Sequence, residues 1–121
     1  MPELGLPAPD FALPNTEGEI VSRDHYSESP ALLVVFWCNH CPYVQHICAG
    51  FVEFADYYQT QGLAVVAIMS NDIDAQPADS PENMKRAAQE YDFTFQYLYD
   101  ETQAVALAYQ AACTPDFFLY D

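Results

Sequence analysis

Two unbroken runs of apolar residues constrain the fold of this chain more than any other feature. Residues 31–37 read ALLVVFW and Leu63–Met69 reads LAVVAIM, and neither run contains a charged side chain. A strand whose neighbouring side chains are all apolar is typical of a sheet that is covered on both faces. Between the runs, apolar residues recur at the spacing of one helix face over residues 41–61, and Gly62 closes that helix. This alternation predicts an α/β fold with a mostly parallel central sheet.

The other elements predicted from the sequence are shorter. Ser80 is a good helix N-cap, because Pro81 follows at the first helical position and Glu82 lies in the first turn. The rest, in chain order, are two short strands around a turn at residues 15–18, a strand near Gln96–Tyr99, a helix near residues 102–110 and a last apolar strand, Asp116–Tyr120. With 121 residues, no internal repeat and no linker, residues 1–121 are predicted to form a single domain.

The charge of the chain argues against some partners. It carries 18 acidic residues against 3 basic ones, a net charge of −15, whereas nucleic acids and anionic membranes are bound by basic surfaces. The N-terminal residues lack the basic and apolar regions of a signal peptide, and the longest apolar run is too short to cross a bilayer. We therefore expect a cytoplasmic protein with no nucleic-acid or membrane partner. In that compartment the four cysteines are more often catalytic or metal-binding than structural disulfides.

Cys38 and Cys41 form a C-x-x-C pair directly after the first apolar run and at the start of the predicted helix. The free N–H groups and the helix dipole at that position lower the pKa of a cysteine and favour the nucleophilic thiolate. Cys41 lies one turn further along and is placed to attack a mixed disulfide on Cys38. His40 would stabilise the Cys38 thiolate by donating a hydrogen bond. We group the neighbouring Asn39 and Trp37 with it as residues that tune the thiolate.

A metal site is the main alternative for these cysteines. Cys38, Cys41, His46 and Cys48 offer ligand types that zinc accepts, but His46 and Cys48 fall on nearly opposite faces of the predicted helix. A second C-x-x-C motif is absent from the sequence, so we assign no metal ligands. A permanent structural disulfide is also disfavoured, because a reducing cytoplasm would tend to open it.

Four motifs, FWCNHCPYV, DSPENMK, YLYDETQ and CTPDFFLYD, occur in this order along the chain. Together they resemble the thioredoxin-fold redoxins of the alkyl-hydroperoxide-reductase and thiol-specific-antioxidant type, and more closely the peroxiredoxin-like branch with C-x-x-C. The resemblance implies a thioredoxin-like three-layer fold, with Cys38 as nucleophile and Cys41 as resolving thiol. It also implies that Pro115 is the cis-proline beside the cysteine pair. Thr114 would then present its backbone to a substrate chain in the adjoining groove.

The chain departs from that family pattern in two places. It stops at Asp121, where this fold normally continues with one more strand and a closing helix. The strand 116–120 would then be an exposed apolar edge, through which we expect a homo-oligomer to form. Typical peroxiredoxins also carry Pro and then Thr or Ser at the places held here by Ala31 and Val35. Since those groups help to position peroxide, their absence counts against efficient peroxide reduction.

Several other residues near the pair have two interpretations each. Cys113, two residues before Pro115, is either a third redox thiol or a small packing residue, and we favour packing. Cys48 lies on the apolar helix face and is interpreted as core. The group that takes the proton of Cys41 is not evident, because the preceding strand has no carboxylate. Glu101 is a weak candidate, and a solvated surface acid is the favoured interpretation.

Three functions follow from these observations. The first is a thiol–disulfide oxidoreductase that needs no bound cofactor and acts on protein or small-molecule thiols and disulfides. The second is a thiol peroxidase with Cys38 peroxidatic and Cys41 resolving. The third is a metal-binding or assembly module that uses the cysteines as ligands. For the first two we expect Cys38 to be more exposed and more acidic than Cys41, because Cys38 occupies the helix entrance.

Overall fold

A computed structural model describes residues 9–26, 29–39, 42–70, 77–111 and 116–120. Its strands and α-helices, in chain order, are β1 (Ala12–Pro14), β2 (Ile20–Ser22), β3 (Ala31–Phe36), α1 (Pro42–Gln59), β4 (Leu63–Met69), α2 (Pro81–Glu90), β5 (Gln96–Tyr99), α3 (Ala104–Tyr109) and β6 (Asp116–Tyr120). Two short 3₁₀ turns, Arg23–Tyr26 and Pro77–Asp79, connect some of these elements.

The central sheet has four strands in the order β5-β4-β3-β6. The strand pairs β3–β4 and β4–β5 are parallel, and β6 runs antiparallel to β3. The two apolar runs of the sequence occupy the two inner positions, where neighbouring strands and both faces exclude water. The predicted α/β fold with a mostly parallel central sheet is therefore confirmed, and β6 lies on the side of β3 away from β4.

The sheet lies between two layers, each with its own apolar core. On the first face, Leu33, Val35 and Trp37 pack with residues of α1 and with Met84 of α2. On the second face, the alternate residues of β3 pack with α3, β6 and the N-terminal hairpin. Successive side chains of a strand point to opposite faces, so one apolar strand serves both cores. This arrangement is the three-layer fold expected from the sequence.

The N-terminal strands β1 and β2 form a separate antiparallel hairpin. Its turn is closed by Asn15, whose side-chain oxygen accepts hydrogen bonds from the N–H groups of Glu17 and Glu19. Gly18 has a φ of +80°, a left-handed conformation that favours glycine. The hairpin contacts the central sheet through a bridge between Asn15 and Leu98. The two predicted strands and their turn are confirmed.

The ends of the helices show where local chemistry decides the structure. Ser80 accepts a hydrogen bond from the N–H of Asn83 at 3.3 Å, which confirms it as the N-cap of α2. Helix α3 is shorter than predicted. Gln103 and Gln110, which flank it, have φ values of 65° and 58°, and a residue in the left-handed region cannot continue a right-handed helix.

Strand β6 forms an edge of the described sheet, with β3 as its neighbour. Phe118 and Tyr120 are buried in the second face, whereas Phe117 and Leu119 on the first face are 38% and 50% exposed. The apolar edge expected from the sequence is therefore present in this part of the chain. None of the helices within the described ranges is long and apolar enough to cross a membrane.

Candidate active site

Strand β3 delivers Cys38 to the beginning of α1. The N–H of Trp37 donates to the carbonyl of Ile68 at 2.8 Å, so the ladder with β4 extends one residue past the end of β3. Cys38 follows directly, and α1 begins at Pro42. The predicted placement of Cys38 between a central strand and a helix N-terminus is thus observed. Cys41 and His40 lie outside the described residues, so their roles stay predictions.

Cys38 has no exposed surface, with a relative accessibility of 0%. The sequence led us to expect more exposure at Cys38 than at Cys41, and that comparison lies outside the described residues. The burial of Cys38 itself follows from its place in the first core, with Trp37 and Val44 in the same cluster. Cys38 borders a cavity of about 360 Å³.

Asn39, which follows Cys38, is held by hydrogen bonds at three points. Its N–H donates to Asp79 Oδ1 at 2.6 Å, and its carbonyl accepts from Gln45 Nε2 at 2.8 Å. Its side-chain oxygen accepts from the Tyr97 hydroxyl at 2.9 Å. These partners belong to the turn before α2, to α1 and to β5. Because all three elements hold Asn39, the backbone next to Cys38 has a defined position.

Tyr97 joins this network from β5, an edge strand of the described sheet. Burial raises its pKa well above the usual value, and the nearby Asp79, Cys38 and Cys48 raise it further. These influences favour the protonated phenol, the form that donates the hydrogen bond to Asn39. The carboxyl group of Asp79 and the thiols of Cys38 and Cys48 therefore lie close enough to interact electrostatically with the Tyr97 phenol.

Asp79 is a buried residue of this network that the sequence analysis missed. Its relative accessibility is 0%, and it ends the short turn Pro77–Asp79 directly before the N-cap Ser80. An acidic residue just before a helix is ordinarily a solvated one, so the local sequence gave no signal of burial. Glu101, the weak candidate from the sequence, is exposed and remains a surface acid as favoured.

The cavity beside Cys38 lies between α1 and α2. Its wall combines aromatic rings, two thiols and polar groups of α2, namely Trp37, Cys38, Asn39, Val44, Gln45, Cys48, Asn83, Arg86, Ala87, Glu90, Tyr91 and Phe93. Arg86 and Glu90 supply opposite charges to this wall. Trp37 is 2% exposed and packs on Phe51 with ring centroids 5.1 Å apart, so it is both a core aromatic and a neighbour of the site.

Cys48 belongs to the core, as the sequence predicted. It is 3% exposed and packs in the first core with Val44 and Phe51. Burial and then the charge of Glu90 raise its pKa to about 11. A thiol with this pKa is protonated at neutral pH and is a poor nucleophile.

The zinc alternative receives no support from the described residues. His46 is exposed on α1 whereas Cys48 is buried, so the two side chains point away from each other as the helix period requires. Within the described ranges, no three His, Cys, Asp or Glu side chains are grouped to hold a metal ion.

Cys113, Thr114 and Pro115, the predicted third thiol and substrate groove, lie outside the described residues. Asp116, the first residue of β6, pairs with Phe36 at the end of β3. The start of β6 therefore lies next to the end of β3, two residues before Cys38.

The fold and this cysteine site define a thioredoxin-like redoxin. The chain belongs to the AhpC/TSA family, whose profile matches residues 4–121. The family and fold implied by the resemblance are therefore confirmed, while the pairing within the C-x-x-C motif stays a prediction. None of the curated proteins matches the chain.

Several solved structures are similar to this chain. An uncharacterized conserved protein from Geobacillus kaustophilus is 49% identical, with a TM-score of 0.95, and the match covers 100% of this chain and 65% of that one. A hypothetical protein from Sinorhizobium meliloti 1021 is 48% identical, with a TM-score of 0.96, and the match covers 100% and 66%. A thiol-disulfide oxidoreductase from Bacteroides fragilis is 24% identical, with a TM-score of 0.73 over 93% and 80%, and shows the fold alone. This chain spans about two thirds of the length of the first two proteins.

Proposed function

We propose that this chain exchanges thiols and disulfides through Cys38 and Cys41. The observation that carries the proposal is the position of Cys38, which lies beside a cavity at the end of a central strand, just before α1. A cysteine at a helix entrance is the type whose thiolate is favoured. Membership in a redoxin family and the shared fold of a thiol-disulfide oxidoreductase support the same function.

In the proposed reaction, the Cys38 thiolate attacks one sulfur of a substrate disulfide. A mixed disulfide forms, and the other substrate sulfur leaves as a thiolate that takes up a proton. The Cys41 thiolate then attacks the Cys38 sulfur, which releases the second substrate thiol and leaves a Cys38–Cys41 disulfide. Two electrons pass from the pair to the substrate, and the reverse sequence oxidises a substrate dithiol.

The neighbouring residues have supporting roles in this proposal. Asn39, fixed at three points, keeps the backbone beside Cys38 in place while the sulfur changes partners. His40 would donate a hydrogen bond to the Cys38 thiolate, and Trp37, which borders the same cavity, would shield it. Thr114 and Pro115 would present backbone to the substrate chain.

A thiol peroxidase is the second candidate, and the family to which the chain belongs favours it. The residues of β3 count against it. Val35 is wholly buried in the first core and has no hydroxyl, and Ala31 begins the strand without the proline of typical peroxiredoxins. Neither side chain can hydrogen-bond a peroxide near Cys38.

Insulin reduction and peroxide consumption, assayed side by side, separate the two candidates. We expect the wild-type protein to reduce insulin. In Cys38→Ser and in Cys41→Ser, the rate of insulin reduction should fall to background. We expect Cys48→Ala to retain most of the activity, because the buried Cys48 thiol is protonated at neutral pH. Wild-type activity in Cys38→Ser would overturn the proposal. Peroxide consumption without insulin reduction would support the peroxidase.

A further inference from the structure

We propose that Asp79 is a positioning residue of the cysteine site, which holds Asn39 and places a buried negative charge that makes the cysteine couple more reducing. The inference rests on the thiol–disulfide function proposed above. It is independent of Glu101, the acid that the sequence suggested, because Glu101 is exposed whereas Asp79 is wholly buried.

The first step is the bond between Asp79 and Asn39. A carboxylate oxygen accepts the Asn39 N–H at 2.6 Å, which is the short distance of a charge-assisted hydrogen bond. The two residues are 40 positions apart in sequence, so this contact joins the turn before α2 to the segment that carries Cys38. The N–H of Asn39 lies beside the Cys38 thiol and could otherwise donate to an anion. The hydrogen bond to Asp79 uses this donor.

The second step is the charge itself. Asp79 and Cys38 both lie within electrostatic reach of the buried Tyr97 phenol, and that phenol donates to Asn39. A carboxylate and a thiolate in one buried site repel each other, so the charge of Asp79 disfavours the thiolate of Cys38. A less stable thiolate makes the reduced form less stable relative to the disulfide. The couple then gives up its electrons more readily.

Other charged and titratable groups face the same site from the surrounding elements. Tyr97 comes from β5 and Cys48 from α1, while Arg86 and Glu90 of α2 and the following Tyr91 line the cavity. Arg86 and Glu90 carry opposite charges on this wall, and the charge of Glu90 raises the pKa of Cys48. Asp79 and Tyr97 are both buried and both bond to Asn39, the residue next to Cys38, and of the two Asp79 has the carboxyl group.

The test replaces Asp79 by Asn, which keeps the accepting oxygen and removes the charge. Two readouts apply to the reduced protein: the pH dependence of Cys38 alkylation, located by peptide mass spectrometry, and the potential from titration against glutathione. We expect alkylation below the thiol pKa to be about tenfold faster, as a fall of one pKa unit gives. Above the thiol pKa, where the reduced form is the thiolate, we expect the couple to become about tenfold more oxidising in its equilibrium constant, or about 30 mV.

Asp100→Asn is the matched control. Asp100 is a second buried carboxylate, 1% exposed, which accepts hydrogen bonds from the Ser70 hydroxyl and the Ala106 N–H. Its loss should lower stability in urea while the alkylation profile and potential stay at the wild-type values. Asp79→Glu retains the charge, so its Cys38 alkylation profile and its potential should stay closer to the wild-type values than those of Asp79→Asn.

Unchanged alkylation and potential in folded Asp79→Asn would overturn the inference, and so would equal shifts in Asp100→Asn. If Asp79→Asn does not fold, Asp79→Ser, which is smaller and keeps a hydrogen-bonding oxygen, repeats both measurements. Failure of the proposed function is distinguishable, because it appears in the wild type as absent insulin reduction. In that case the Cys38 alkylation profile still measures the effect of Asp79.

Discussion

The two faces of the central sheet each have an apolar core but carry different chemistry. The second face is filled by aromatic rings in edge-to-face contact, with the Phe36 centroid 5.5 Å from that of Tyr109 and 5.8 Å from that of Phe118. The first face holds the Cys38 and Cys48 thiols, the Tyr97 phenol and the cavity. Phe36 and Trp37 are consecutive in sequence, yet each belongs to a different face.

This difference separates the residues that stabilise the domain from those that tune its chemistry. On the second face, close-packed rings stabilise the fold through dispersion and the burial of apolar surface. On the first face, two thiols lie among the apolar side chains, a cavity borders them, and Asn39 beside Cys38 is held by hydrogen bonds. Variants on the second face should therefore change stability, and variants on the first should change reactivity as well.

The largest expected effect is on the second face. Phe36→Ala removes a ring that is 2% exposed, so it should lower the free energy of unfolding by about 3–5 kcal/mol in urea titrations. The potential of the cysteine couple, measured on the folded fraction, should stay close to wild type. Phe54→Ala is the control, since Phe54 is 43% exposed and should cost about 1 kcal/mol. A large shift in potential in Phe36→Ala would show that the two faces are coupled.

The next effect is a pH dependence on the first face. The pKa of Cys48 is raised from 9.0 to about 11 in the folded protein, so the folded state holds this proton more tightly. The resulting stability is fully present below pH 9 and is lost as the pH rises towards 11. Two pKa units correspond to about 3 kcal/mol at most.

Unfolding titrations of Cys48→Ala beside the wild type isolate this contribution. The tyrosines are the same in both proteins, so their effect cancels in the difference. We expect Cys48→Ala to be the less stable protein at neutral pH, with the gap closing between pH 9 and 11. A gap that stays constant over this range would contradict the burial of the Cys48 proton.

The smallest expected effect concerns β6, which contributes to both faces. We propose that a second copy of the chain associates through residues 116–120, where Leu119 is exposed on an apolar edge. Leu119→Lys places a charge on this edge and should weaken association about tenfold, or about 1.4 kcal/mol. Light scattering at rising salt measures it, because repulsion between acidic surfaces is screened within about 10 Å at 0.1 M.

Leu107→Lys is the matched control for this variant. Leu107 is 77% exposed on α3, so the substitution makes the same change of charge away from β6. Association should be weakened by Leu119→Lys and not by Leu107→Lys. Equal effects would assign the change to net charge, and a wild type that stays monomeric at high salt and concentration would contradict the proposal.

The elements of the fold were largely predictable because their signals are local. The apolar runs, the Ser80 cap and the turn at Asn15 each depend on residues a few positions apart. Helix α3 was predicted too long, because the spacing of apolar residues does not reveal the left-handed conformations of Gln103 and Gln110. Cys38 was found from its motif, and Cys48 was recognised as core from the helix face.

The sequence by itself determined the class of fold, the order of the strands along the chain and the cysteine that follows the first inner strand. The tertiary structure decided which of the 18 acidic residues is buried beside that cysteine. Asp79 and Tyr97 meet Asn39 across 40 and 58 positions of sequence. The physical reason is that periodicity, capping and turn preferences act between near neighbours. The burial of a charge depends on how separate elements pack.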